Sequence, residues 1–106
     1  MVERPEKTVE IVVDGESHSA EITTYMEGNL AIQTYDSEGF PYCRVTTNPE
    51  HRLEDGLVAL RDDYETVIGQ TRDALVEAGV IELVQPRQQI RLGYTSATLY
   101  RVLVLD

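Results

Sequence analysis

Residues 27–48, EGNLAIQTYDSEGFPYCRVTTN, read as two strands folded over a turn. Residues 30–35 are β-rich, and Asp36-Ser37-Glu38-Gly39 supplies the polar residues and the glycine that a four-residue hairpin loop needs. Pro41 then opens a further strand over residues 42–47, a position proline tolerates because no ladder hydrogen bond is asked of it there.

Upstream, residues 8–13 alternate, with Val9, Ile11 and Val13 on one face and Thr8 and Glu10 on the other, the period of a half-buried strand. Asp14-Gly15 tolerates the positive φ angles of a tight turn and leads into a second strand over residues 18–26. Four consecutive strands on short connections predict an antiparallel meander.

Downstream, residues 48–55 are polar and irregular, and residues 57–61 suit a brief fifth strand. A helix is expected from Asp62 or Asp63, where a carboxylate can accept from the first free amides, to Gly79, which suits the left-handed position that closes many helices. On a helical wheel Tyr64, Val67, Ile68, Thr71, Ala74, Leu75 and Ala78 gather on one side, with Asp62, Glu65, Gly69, Arg72 and Asp73 opposite. Residues 80–84 are apolar and short, residues 88–92 suit another strand, and residues 98–105 form a strand apolar on both faces, the mark of a central or doubly covered position. The expected architecture is α+β: one twisted antiparallel meander of five to six strands with one main helix packed on one face.

At 106 residues and 12.0 kDa the chain has the size of one domain, residues 1–106, with residues 1–7 frayed. Nineteen Asp and Glu against nine Lys and Arg give a formal net charge of −10. Direct binding to a nucleic-acid backbone is disfavoured, because Lys7 is the only lysine and the arginines are spread along the chain. An acidic surface attracts basic partners, including proteins that themselves grip nucleic acid, although solubility alone also accounts for acidity. The N-terminal MVERPEKTVE has no apolar run and no stretch is long enough to span a bilayer, so neither a signal peptide nor a membrane association is expected and the chain reads as cytoplasmic. Cys43 is the only cysteine, which excludes an internal disulfide and suits a small sheet residue.

The segment GNLAIQTYDSEGFPYCRVTTN resembles a family of small uncharacterised proteins carried on phages, plasmids and integrative elements, whose members show an N-G-N-L-A-I-like strand, a G-E-P-Y-like turn and a T-V-N-like strand end. Gly28, Asn29, Leu30, Ala31 and Ile32 carry the first part. Gly39, Pro41 and Tyr42 carry the turn, with Phe40 where an acidic residue is more usual, and Thr46, Thr47 and Asn48 carry the end. Gly93, Tyr94, Leu99 and Tyr100 are similar to that family's closing segment. The resemblance implies a mobile-element or viral background, in which small acidic domains act by binding and blocking a host defence or nucleic-acid-handling protein. It brings no catalytic residue.

Among candidate sites, the acidic group Glu54, Asp55, Asp62, Asp63, Glu65 and Asp73 comes first, with Asp62, Glu65 and Asp73 expected within about 60° of one another on the helix. Such a row could compete for arginines that hold phosphates; a solvated helix face is the plainer account. Asp62-Asp63 invites a metal, but adjacent residues at a helix start diverge and no third ligand sits at a telling spacing, so no metal, cofactor or catalytic residue is expected. His18 and His51 are expected as surface or capping residues. Tyr25 and Tyr35 fall opposite the Ile22 and Ile32 core positions, where they could anchor a partner or form cross-strand pairs.

Three functions remain. The first is a non-enzymatic inhibitor of mobile-element origin that binds a basic surface of a host protein. The second is an accessory or assembly domain that pairs with a copy of itself through a sheet edge, its acidity serving solubility alone. The third is a hydrolase or nuclease with a carboxylate-bound metal.

Overall fold

The computed structural model describes residues 7–26, 28–49, 51–62, 66–93 and 95–105. Lys7–Val13 (β1) and Glu16–Thr24 (β2) form the first hairpin, closed by Asp14 and Gly15 at φ 50° and 80°. Two positive φ angles in succession match the right-handed twist of the flanking strands, and Asp-Gly adopts them at low cost. β2 pairs with Leu30–Tyr35 (β3), and β3 with Pro41–Arg44 (β4), so the first sheet is an antiparallel meander in chain order.

The strand expected over residues 42–47 is in fact two. β4 ends at Arg44, Val45 is buried at a corner, and Thr46–Thr47 (β5) pairs instead with Leu57–Arg61 (β6) in a second sheet. At the corner the Val45 N–H still donates to the Ile32 carbonyl at 3.2 Å, while the Thr46 Oγ1 accepts the Ile32 N–H at 3.1 Å. The threonine hydroxyl thus stands in for a ladder carbonyl, and the chain changes sheets while Ile32 keeps both its backbone bonds.

After β6 the helix Thr66–Glu77 (α1) leads to Ile81–Leu83 (β7), Gln89–Leu92 (β8) and Thr95–Val102 (β9). The second sheet has the order β5-β6-β9-β7, with β8 also paired to β9. Pro86, which has no N–H to donate, lies between β7 and β8 along that edge. The single meander expected from the sequence is therefore corrected to two sheets of four and five strands. The α+β class with one helix stands.

The main core lies between the sheets. Ile11, Ile22 and Ile32 from the first, with Val45 at the corner, meet Val58, Leu60 and Val102 from the second, and Leu75 and Val80 at the end of α1 close the cluster. Leu53, Leu57, Ala59, Val84, Ala97 and Leu99 form a smaller cluster on the other face of the second sheet. β9 supplies both clusters, which explains its two apolar faces. It runs from Thr95 to Val102 rather than over 98–105, because beyond Val102 the chain leaves the ladder and the Leu103 N–H donates to the Val80 carbonyl at 2.8 Å.

The helix begins at Thr66, so Asp62 is not helical; the start expected at Asp63 lies outside the described residues. Its buried stripe is Thr71, Ala74 and Leu75 with Ile68 half-buried, narrower than the wheel suggested, since Val67 and Ala78 are exposed. Buried Thr71 satisfies its hydroxyl by donating to the Val67 carbonyl at 2.8 Å. At the C-terminus the Val80 N–H reaches the Leu75 carbonyl and the Gly79 N–H the Val76 carbonyl, with Gly79 at φ 77°. Those two bonds are the Schellman pattern, and Leu75 and Val80 bury together beneath it.

Candidate interaction surface

In the first sheet, alternation sends Val9, Ile11, Val13, Ala20, Ile22 and Ile32 toward the core and leaves the other face to solvent. Register places Glu10, Ser19 and Tyr35 in one row across β1, β2 and β3, and Val12 beside Ser17 in the next. The Ser17 Oγ donates to Glu10 Oε1 at 3.1 Å. Both hairpin turns emerge at this end, close enough for the Ser37 Oγ to reach Glu16 Oε1 at 3.5 Å.

The second turn is held by one side chain. Asp36 Oδ1 accepts the N–H groups of Glu38 at 2.9 Å and Phe40 at 3.0 Å, the Asp36 N–H donates to the Phe40 carbonyl, and Gly39 takes φ 87°. An aspartate that bonds amides two and four residues on fixes the loop from within. Phe40, the chain's one phenylalanine, emerges from it 63% exposed, and Val12 is 65% exposed.

This sheet also concentrates the charge. Residues 8–43 hold Glu10, Asp14, Glu16, Glu21, Glu27, Asp36 and Glu38 and neither lysine nor arginine. Carboxylates on neighbouring turns lie within roughly a Debye length, about 8 Å at physiological salt, so their potentials add. The flanking cations are Lys7, at the far end of β1, and Arg44, whose Nε donates to Gln33 Oε1 at 2.9 Å while its guanidinium lies 5.6 Å from the Tyr25 ring centroid.

The acidic residues singled out in the sequence are not brought together. Glu54 and Asp55 are exposed before β6, with Asp55 3.6 Å from Arg52 Nη2; Asp62 follows β6, about 20 Å along the strand. Asp73 is exposed on α1 beside Arg72 Nε at 3.4 Å. Asp63 and Glu65 lie outside the described residues, so of the expected helical row only Asp73 sits on described helix. Tyr25 and Tyr35 are both half-buried but sit at opposite ends of the β2–β3 pair, about 20 Å apart. The Tyr25 hydroxyl bonds Thr46 through its carbonyl at 3.3 Å and its Oγ1 at 3.2 Å. His18, expected at the surface, is buried with its ring edge-to-face against Tyr42 at 4.5 Å. The register shift in β4 beside Tyr35 falls next to Tyr42.

Asp62 is a cross-brace of the second sheet. Its Oδ1 accepts the Thr98 hydroxyl at 2.6 Å, and its Oδ2 accepts the Ser96 hydroxyl at 2.8 Å and the Gln89 amide at 2.9 Å. Arg87 Nη2 stands 3.8 Å from Oδ1 and donates to Thr98 Oγ1 at 3.2 Å. Burial alone pushes the Asp62 carboxyl up. The bonds from Thr98, Ser96 and Gln89, with Arg87 beside them, outweigh it and hold the group below its ordinary value.

The turn-end carboxylates and Phe40 were not singled out in the sequence. The signal that could have found them is the complete absence of Lys and Arg from residues 8–43. Among the described residues no group of three or more His, Cys, Asp or Glu is placed to hold a metal ion, and no helix is long and apolar enough to cross a membrane. No family model, curated protein or solved structure matches the chain.

Proposed function

We propose that this chain is a non-enzymatic interaction protein of mobile-element or viral background that binds a basic surface of a host nucleic-acid-handling or defence protein and blocks it. The observation that carries the reading is charge segregation. Residues 8–43 carry seven carboxylates and neither lysine nor arginine, and six of them lie on the described strands and turns of the first sheet, whereas residues 44–101 interleave seven arginines with their acids. Acidity that served solubility alone would gain nothing from such segregation, since like charges placed together raise the self-energy of the fold. A concentrated negative face raises the on-rate for a positive partner and can occupy arginines that otherwise hold phosphates.

The test is affinity capture from host lysate with the intact chain, followed by a nucleic-acid binding or cleavage assay on the captured protein. Raising ionic strength from about 0.1 M to about 1 M shortens the screening length from roughly 10 Å to 3 Å and should release the partner. Reversal of Glu10, Glu16 and Glu38 to lysine should abolish both capture and inhibition. A captured protein that keeps its nucleic-acid activity in the presence of excess chain would refute the inhibitory reading.

A further inference from the structure

We infer that β1 is a strand-docking edge, and that its occupant is an extended segment of a partner protein that pairs antiparallel with Lys7–Val13 and sets an arginine opposite Glu10. The inference rests on the reading of the chain as a binding protein and adds which edge binds and in what form. β1 ends the first sheet, with no described strand beyond it. It is seven residues long, contains no proline and pairs with β2 without a register shift. The other described edges are blunted. β4 opens on Pro41 and carries a register shift, β5 has two residues, and β7 and β8 have three and four with Pro86 between them. Folds ordinarily shorten, bend or interrupt an exposed edge, because its free backbone groups recruit other chains. Among the described edges β1 alone is left as a template.

The turn fixes which groups are free. In a two-residue hairpin the residues flanking the loop, here Val13 and Glu16, form a hydrogen-bonded pair, and bonded and non-bonded pairs alternate from there. Val9 and Ile11 therefore bond to β2, and the N–H and C=O groups of Thr8, Glu10 and Val12 point out of the sheet edge. The same three residues share one side of the strand and are exposed, whereas Ile11 and Val13 are buried and Val9 is half-buried at the margin of the core. An added strand finds free backbone groups at alternate positions, apolar contact opposite Val9 and Ile11, and a carboxylate opposite its middle residue.

Charge selects the occupant. Glu10 Oε1 accepts the Ser17 hydroxyl at 3.1 Å, and residues 8–43 contain no lysine or arginine to neutralise the carboxylate. An arginine directly across the new pair supplies that charge. A second copy does not. The two-fold antiparallel pairing that uses all three free residues sets Thr8 against Val12 and Glu10 against Glu10, between chains of formal net charge −10.

The experiment titrates the isotopically labelled full chain with the acetylated and amidated peptide Val-Thr-Val-Arg-Val-Thr-Val, followed by amide shifts and hydrogen exchange. The amides of Thr8, Glu10 and Val12 should shift and gain protection several-fold, while those of Val9, Ile11 and Val13, already bonded to β2, keep theirs. N-methylation of the peptide's arginine keeps its charge and removes a ladder donor, and should weaken binding by about tenfold or more. Glutamate in place of that arginine should weaken binding several-fold, and Glu10→Arg should invert the preference. Val12→Pro removes an outward N–H at an edge position, where proline is tolerated, and should also weaken the peptide by about tenfold. Shifts without the alternation, equal binding of the N-methylated peptide, or no binding of any peptide would overturn the edge; salt-sensitive capture of a host protein by the same chain would then leave the interaction reading standing. Alternate protection by the peptide without any capture from lysate would sink that reading and keep the edge. Equal affinity for the arginine and glutamate peptides, or alternate protection that rises with protein concentration in the absence of peptide, would overturn the proposed occupant.

Discussion

The side-chain carbonyl of Asn29 accepts the buried backbone N–H of Leu53 at 2.8 Å, joining the entry to β3 to the loop that precedes β6. The same side chain donates to the His51 carbonyl at 3.1 Å and to Asn48 Oδ1 at 3.2 Å, and is itself only 4% exposed. One amide thus satisfies backbone groups of a segment without regular structure, and Leu53 is delivered to the smaller core on the far side of the second sheet. Asn29→Leu keeps the volume and removes every partner. It should cost about 1–3 kcal/mol in urea denaturation for the orphaned Leu53 N–H. Native-state exchange gives the sharper reading, since the Leu53 amide should lose protection ahead of the sheets; unchanged protection would show that the loop is held by other means.

Asp62 couples stability to acidity. A carboxylate whose folded pKa lies below the unfolded value of about 3.9 stabilises the native state above that value, and the stabilisation is lost as pH falls through the folded pKa. Asp62→Asn sets an N–H₂ against donors from Ser96 or Gln89 and should cost about 1.5–3 kcal/mol at pH 7. Denaturation midpoints of the two proteins should converge as pH drops below about 4, because protonated Asp62 has lost the same charge. A gap that stayed constant down to about pH 2 would assign the cost to packing rather than to charge.

Two glycines separate backbone conformation from contact. Gly79 sits at φ 77° with open space around a would-be Cβ, so Gly79→Ala should destabilise through the left-handed conformation alone, by about 1–2 kcal/mol. Gly69 lies inside α1, where a Cβ would meet the flexible tip of Arg72 at 3.7 Å, an ordinary contact. Gly69→Ala should therefore stabilise by about 0.5–1 kcal/mol through helix propensity. Thermal unfolding of both variants checks the opposite signs.

The hairpins were legible in the sequence because Asp14-Gly15 and Asp36–Gly39 are local devices whose chemistry is complete within a few residues. The same holds for Gly79 and for the two-faced β9. Val45 could not be read as a corner, since a buried valine in mid-strand and one at a change of sheet look alike; the pairing that separates them lies at Ile32 and Leu60. An Asp-Asp pair before a periodic run has the form of a cap, so Asp62 reads locally as a helix start, whereas its partners Gln89, Ser96 and Thr98 are 27 to 36 residues away. The acidic turn end is hidden for a related reason. Glu16 and Glu38 are far apart in sequence, and only the meander brings the two turns beside them to one end.

Tyr25 and Tyr35 hold different places in the architecture. Tyr25 ties β2 to the corner through two contacts of its hydroxyl with Thr46, the same threonine whose Oγ1 accepts the Ile32 N–H, so a change there reaches the junction of the two sheets. Tyr25→Phe keeps the ring beside Arg44 and removes the hydroxyl; it should cost about 0.5–1.5 kcal/mol of stability. Tyr35 occupies an outward position between Ser19 and Pro41, where Tyr35→Phe, which likewise removes only a hydroxyl, should move stability by under about 0.5 kcal/mol. Urea denaturation of the two variants checks the contrast, and a larger loss from Tyr35→Phe than from Tyr25→Phe would show that the corner is held by other means.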